Sequence, residues 1–88
     1  MKEDIHLPST REQAILKAVA GGATSMRAVA EATPEVPDGT LYTTMGRMRR
    51  KGWLTGKGKK REPMGMTDDG RRMWAMVQAA WVAGQENK

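Results

Sequence analysis

Eighty-eight residues, with 15 Lys and Arg against 10 Asp and Glu and a net charge of +5, describe one small basic domain. The lack of Cys excludes disulfides and thiolate metal sites, and the lone His6, near the N-terminus, makes a ligand cluster unexpected. No apolar run approaches the roughly 18 residues of a membrane span, and Glu3, Asp4 and His6 interrupt any signal-peptide pattern at once, so the expected compartment is the cytoplasm. A chain this short has a limited core, for which dimerisation is one remedy. With eight Met and no Phe, that core must be filled by Met, Leu, Val, Ile and Trp.

Residues 1–8 are expected to fray. Ser9 and Glu12 form an S-x-x-E capping box that opens a helix, on which Ala14, Ile15, Leu16, Ala18 and Val19 make an apolar stripe. Gly21-Gly22 ends it. Thr24 or Ser25 caps a second, short helix carrying Met26, Val29 and Ala30 at i, i+3, i+4, and Pro34 stops it at about Thr33. The stretch Pro34-Glu35-Val36-Pro37-Asp38 is a turn, with Asp38 as the cap of a third helix.

That third helix is expected over 39–51. Leu41, Met45 and Met48 fall at i, i+4, i+7 and predict its buried face, while Thr43, Arg47 and Arg50 point the opposite way. Thr40 and Thr44 flank the outward face; Tyr42 and Arg49 lie to its other side. Gly52 ends the helix, Trp53-Leu54-Thr55 reads as a strand with Glu62–Met66 as its partner, and Gly56–Arg61 is the tip between them. Thr67 caps a fourth helix with Asp68 and Asp69 in its first turn, where the helix dipole favours acids. Met73, Trp74, Met76, Val77, Ala80 and Trp81 form one broad apolar face on it. The expected fold is mostly α with a small β-hairpin: a winged helix-turn-helix over residues 9–67, and a C-terminal helix over 68–88.

Charge follows this layout. Segment 39–66 holds eight Lys and Arg and one Glu, net +7, whereas segment 1–38 is net −2 and segment 67–88 is neutral. Cations on one helix face would ordinarily be a solvated surface, but here the same sign continues beyond a Gly stop into Lys57, Lys59, Lys60 and Arg61. A polyanion fits that stripe. Thr is a mediocre helix former, so Thr40, Thr43 and Thr44 on one turn suggest phosphate or base-edge contact. The Tyr42 hydroxyl can reach a phosphate or its ring can pack. Asp68 and Asp69 read as first-turn acids at a helix start rather than as a catalytic pair. No nucleophile–base pairing, phosphate-binding Gly loop or metal spacing is visible, so neither an enzyme nor a cofactor is expected.

The run Gly39-Thr40-Leu41-Tyr42, then Arg47-Met48, Gly52-Trp53-Leu54, and Met66-Thr67 with Gly70, resembles the PadR-like family of winged-helix transcriptional regulators. The resemblance covers about residues 12–75. Met48 and Met66 stand where that family usually has Leu, and Met64-Gly65-Met66 replaces the usual aromatic pair before the Thr. The C-terminal part is short, so the separate ligand-responsive helical domain of longer members is not expected. The resemblance implies a regulator, most often a repressor, that pairs through its terminal helices.

The sequence reading is therefore a sequence-specific, nucleoid-associated binder of double-stranded DNA acting as a homodimer. Arg47 and Arg50, with Thr43 and Thr44, are the expected base readers; Thr40, Tyr42 and Lys51 complete the helix surface; Lys57, Lys59, Lys60 and Arg61 are the expected phosphate contacts. Trp74 and Trp81, seven apart, share a helix face with Met73, Val77 and Ala80 and are the candidate dimer seam, or else simply core. Trp53 is expected beneath the hairpin. Two other classes fit the same features: an architectural DNA-remodelling accessory protein with little sequence preference, and a protein-interaction module whose basic surface is incidental. A small-molecule effector is not legible.

Overall fold

The computed structural model describes residues 7–86, and the expected fraying of residues 1–6 lies outside that range. Its elements are α1 (Thr10–Ala20), α2 (Met26–Ala32), α3 (Asp38–Arg50), β1 (Leu54–Thr55), β2 (Gly65–Met66) and α4 (Asp68–Glu86). The architecture is mostly helical, with β1 and β2 paired antiparallel in the register Leu54 with Met66 and Thr55 with Gly65.

Local chemistry sets the helix starts. Ser9 Oγ accepts from Glu12 N at 3.3 Å while Glu12 Oε1 accepts from Ser9 N at 2.8 Å, closing the capping box of α1. At α2 the cap is Ser25, whose Oγ accepts from Ala28 N at 3.0 Å. Thr24 has another role: its carbonyl accepts from Met64 N at 2.8 Å. Asp38 is not the cap of α3. Pro37 holds the extended N-cap conformation, its carbonyl accepts from Leu41 N at 2.8 Å, and Asp38 is the first helical residue, near the positive end of the dipole.

The strands are shorter than the expected Trp53–Thr55 and Glu62–Met66. Trp53 N bonds back to Met48 O at 3.0 Å, closing the C-terminal end of α3 instead of joining the ladder. Pro63 has no N–H to give a ladder, and Met64 N turns to Thr24 O instead, leaving only an isolated bridge between Lys59 and Glu62 beyond the two-residue strands.

The core gathers Ile15, Leu16, Val29, Leu41, Met45 and Met48 between α1, α2 and α3, and Leu54 and Met64 extend it under the hairpin. Trp53, Met73 and Trp74 are half-buried at its edge. Thr67 joins the sheet to α4: its N–H donates to Trp53 O at 3.0 Å, its Oγ1 donates to Gly52 O, and the same oxygen accepts from Gly70 N at 3.0 Å. Gly70 is buried against the Trp53 backbone so closely that a Cβ there would overlap the Trp53 carbonyl. This close approach accounts for the spacing of Thr67 and Gly70. From there α4 runs back along α1, burying Val77 completely. No helix among the described residues is long and apolar enough to cross a membrane.

Candidate nucleic-acid interface

Because Leu41, Met45 and Met48 anchor one side of α3, its period turns Thr43, Arg47 and Arg50 to the surface, with Thr40 half-buried beside them. Thr43 Oγ1 donates back to Gly39 O at 3.1 Å, leaving its lone pairs to accept from outside. A shallow cleft at this surface is shared by Thr40, Thr43, Thr44, Arg47 and Arg11 of α1. Arg11 was not singled out from the sequence. Only the packing of α1 against α3 brings it there.

Of the expected DNA contacts on α3, Thr44 is mostly covered and Lys51 is engaged within the molecule. Thr44 is 5% exposed. It lies three residues after Leu41 and four before Met48, so the helical period already assigns it to the buried side. Lys51 Nζ pairs with Glu12 Oε2 at 2.9 Å and stands 4.6 Å over the Trp53 ring, so its charge ties α3 to α1. Glu12 is 4% exposed. Burial pushes its carboxyl up, but the Lys51 ammonium and the Ser9 N–H outweigh burial and hold it below the ordinary carboxylate value.

The hairpin supplies the other cations. Lys57, Lys59, Lys60 and Arg61 are all exposed. Its tip is closed by Gly58 N to Glu62 O at 2.9 Å and by reciprocal bonds between Lys59 and Glu62 at 3.1 and 2.9 Å. It is fastened to the start of α2 and the turn before it by Met26 N to Gly58 O at 3.3 Å and Met64 N to Thr24 O at 2.8 Å. These bonds fix the basic loop against the start of α2. Tyr42, 62% exposed, and Arg49, half-buried, line the gap between the loop and α3 with Lys57 and Lys59. Arg49 is a second residue that sequence reasoning left out of the site, because its position depends on where the hairpin folds.

Among the described residues, no carboxylate lies within ion-pair distance of Arg47, Arg49, Arg50, Lys57, Lys59, Lys60 or Arg61; the ion pairs beside Lys51–Glu12 are Arg27–Glu31, Arg71–Asp68 and Arg72–Asp69. The last two place Asp68 and Asp69 against their own helix, at 2.8 Å each.

The five residues of the candidate seam on α4 divide. Val77 is fully buried inside the monomer and cannot line an interface, Met73 and Trp74 are half-buried against the core, and Ala80 is half-buried. Trp81 is 43% exposed, packs edge-on against Trp74 with centroids 5.5 Å apart, and donates Nε1–H to Gln13 Oε1 at 3.1 Å. Val82, 52% exposed, adjoins it and was missed as an isolated apolar residue.

Compared with known proteins, the chain matches no protein-family model, no curated protein and no solved structure.

Proposed function

We propose that this chain is a winged helix-turn-helix regulator that binds double-stranded DNA, of the PadR-like kind, acting as a homodimeric repressor. The observation that carries the reading is the set of seven exposed or half-exposed cations, without carboxylate partners among the described residues, on α3 and on a hairpin loop that backbone bonds fasten to Thr24 and Met26. A duplex presents about one charge per 1.7 Å of axis, and such a stripe neutralises it by releasing counterions. In this reading α3 is the recognition helix in the major groove, with Arg47 and Arg50 at base edges; Arg to guanine is the commonest specific contact. Lys57, Lys59, Lys60 and Arg61 follow the backbone, and Arg11 adds a phosphate contact on the far side of α3.

One observation favours the architectural alternative. Thr44 is buried and Thr43 is partly engaged with its own helix, which thins the base-reading set to the two arginines. Selection of bound fragments from random DNA, followed by the ratio of affinities for the selected and random sequences, decides. A ratio near unity overturns sequence-specific regulation in favour of architectural binding, and no binding at low salt overturns both.

A further inference from the structure

Eight methionines and no cysteine make thioethers the oxidisable sulfurs of this chain. Three are sheltered: Met45 and Met48 are fully buried and Met64 is 3% exposed. Met26, the first residue of α2, is half-buried and lines two clefts. One, of ≈ 340 Å³, it shares with Tyr42, Arg49, Lys57 and Lys59; the other with Arg27, Asp38 and Tyr42. We propose that Met26 is a modification site, oxidised to the sulfoxide by a peroxide, and that the sulfoxide loosens the basic hairpin from α2.

The reaction is a two-electron oxygen transfer. The sulfur lone pair attacks one peroxide oxygen, the O–O bond breaks and an S–O bond forms. The departing hydroxide takes up a proton, the hydroxyl now on sulfur gives one up, and the products are sulfoxide and water. Negative charge develops on the departing oxygen, so cations beside the sulfur lower the barrier. Arg49, Lys57 and Lys59 share the cleft with Met26, and among the described residues none of them has a carboxylate within ion-pair distance. Met73 and Met76 on α4 are half-buried too, but the cations at the start of that helix are held by acids, Arg71 by Asp68 and Arg72 by Asp69.

Met26 is also where the loop is pinned. Its N–H donates to Gly58 O at 3.3 Å, and Gly58, at φ 78°, lies so close that a Cβ there would come within 3.3 Å of Met26 Cγ and 2.9 Å of Met26 N. The same side chain packs against the core. A sulfoxide is polar, and burying its oxygen without a donor is costly. The oxygen therefore turns to the cations of the cleft, and the side chain leaves its place against the core and Gly58. The Met26 N–H to Gly58 O bond, already long, opens, and Met64 N to Thr24 O is left to hold the loop. Neither the reaction nor the loosening requires DNA.

Dilute hydrogen peroxide on the folded full chain, followed by peptide mapping for the mass of one added oxygen, tests the site. Met26 should gain oxygen about tenfold faster than Met73 or Met76, the effect of one charge-assisted hydrogen bond to the departing oxygen. Lys57→Gln with Lys59→Gln should remove that lead, and Lys17→Gln, the same kind of change on α1, should leave it. Equal rates at the three methionines, a lead that survives the double change, or oxygen gained as fast at the buried Met45 and Met48 overturns the assignment. Amide exchange tests the loosening. The Met26 and Met64 amides should exchange faster in the oxidised chain. In Met26→Leu, a volume-conserving change, peroxide should leave the Met64 amide as it was. Unaltered exchange at both amides after oxidation, or the same acceleration in Met26→Leu, overturns it.

Discussion

Glu12 and Lys51 are 39 positions apart in the chain and meet at 2.9 Å, one buried in the first turn of α1 and the other at the end of α3. Glu12 therefore does two things at once: one oxygen caps its own helix and the other holds the C-terminus of the proposed recognition helix. The next residue, Gln13, receives Trp81 of α4. Two adjacent side chains on α1 thus tie both α3 and α4 to it.

Glu12→Gln tests the ion pair alone, since Gln also completes a capping box. The Lys51 side chain is 42% exposed, so solvent screens the pair and the expected loss is about 1 kcal/mol at neutral pH. The folded carboxyl titrates below its unfolded value of about 4.3. The pair's contribution is therefore complete above that value and disappears as the pH falls through the lowered folded pKa. Denaturant melts from pH 7 to pH 3 should show wild type and Glu12→Gln converging in acid. A constant gap between them sinks this account.

DNA affinity should fall steeply with salt. If about four to eight phosphates are neutralised, the log–log slope is about −4 to −7. Titrations between low and moderate salt give the slope directly; a value near zero leaves the basic surface without a DNA role.

Helix and hairpin should separate by sequence dependence. Lys59→Ala with Lys60→Ala should weaken binding to all sequences alike and flatten the salt slope, whereas Arg47→Ala or Arg50→Ala should cost about 1–3 kcal/mol on the preferred site and less on random DNA. Arg11→Ala should behave like the hairpin changes. Thr44→Val should change DNA affinity less than Arg47→Ala, because only an edge of its side chain reaches the cleft beside Arg47. Competition assays with both DNAs distinguish these patterns, and a loss from Thr44→Val as large as that from Arg47→Ala would contradict the placement.

Trp81 and Val82 are the exposed large apolar side chains among the described residues of α4. Joined to a second copy, they would set two recognition helices about one DNA turn, roughly 34 Å, apart. Trp81→Glu should shift a dimer towards monomer more strongly than Trp81→Ala, since a buried unpaired carboxylate is costly. Gln13→Leu removes only the contact within the monomer and should leave the dimer intact. Sedimentation of all four proteins at micromolar concentration decides; a monomeric wild type means that Trp81 serves α1 alone.

Gly70→Ala should destabilise by about 1–3 kcal/mol, the usual range for overpacking, because the added methyl meets the Trp53 backbone and not a flexible side chain. Gly84→Ala, where a Cβ meets nothing within 4 Å, is the control and should be neutral or slightly stabilising. Equal melting temperatures for the two variants would show that α4 can move away from the sheet at no cost.

The capping box of α1, the buried stripe of Leu41, Met45 and Met48, the Thr67 cap and the concentration of charge in residues 39–66 were all legible in the sequence. They depend on neighbours within about one helical turn, and hydrogen-bond chemistry and the 3.6-residue period act at that range. The burial of Thr44 was legible too, from its distances to Leu41 and Met48, but its residue type argued for the surface. Packing alone decided the rest. Lys51 paired with Glu12, Arg11 and Arg49 joined the basic surface, the hairpin was fastened to Thr24 and Met26, and Val77 was buried completely. A period says which side chains share a face; which element covers that face is a matter of distant segments competing for the same buried area, and nothing local encodes the outcome.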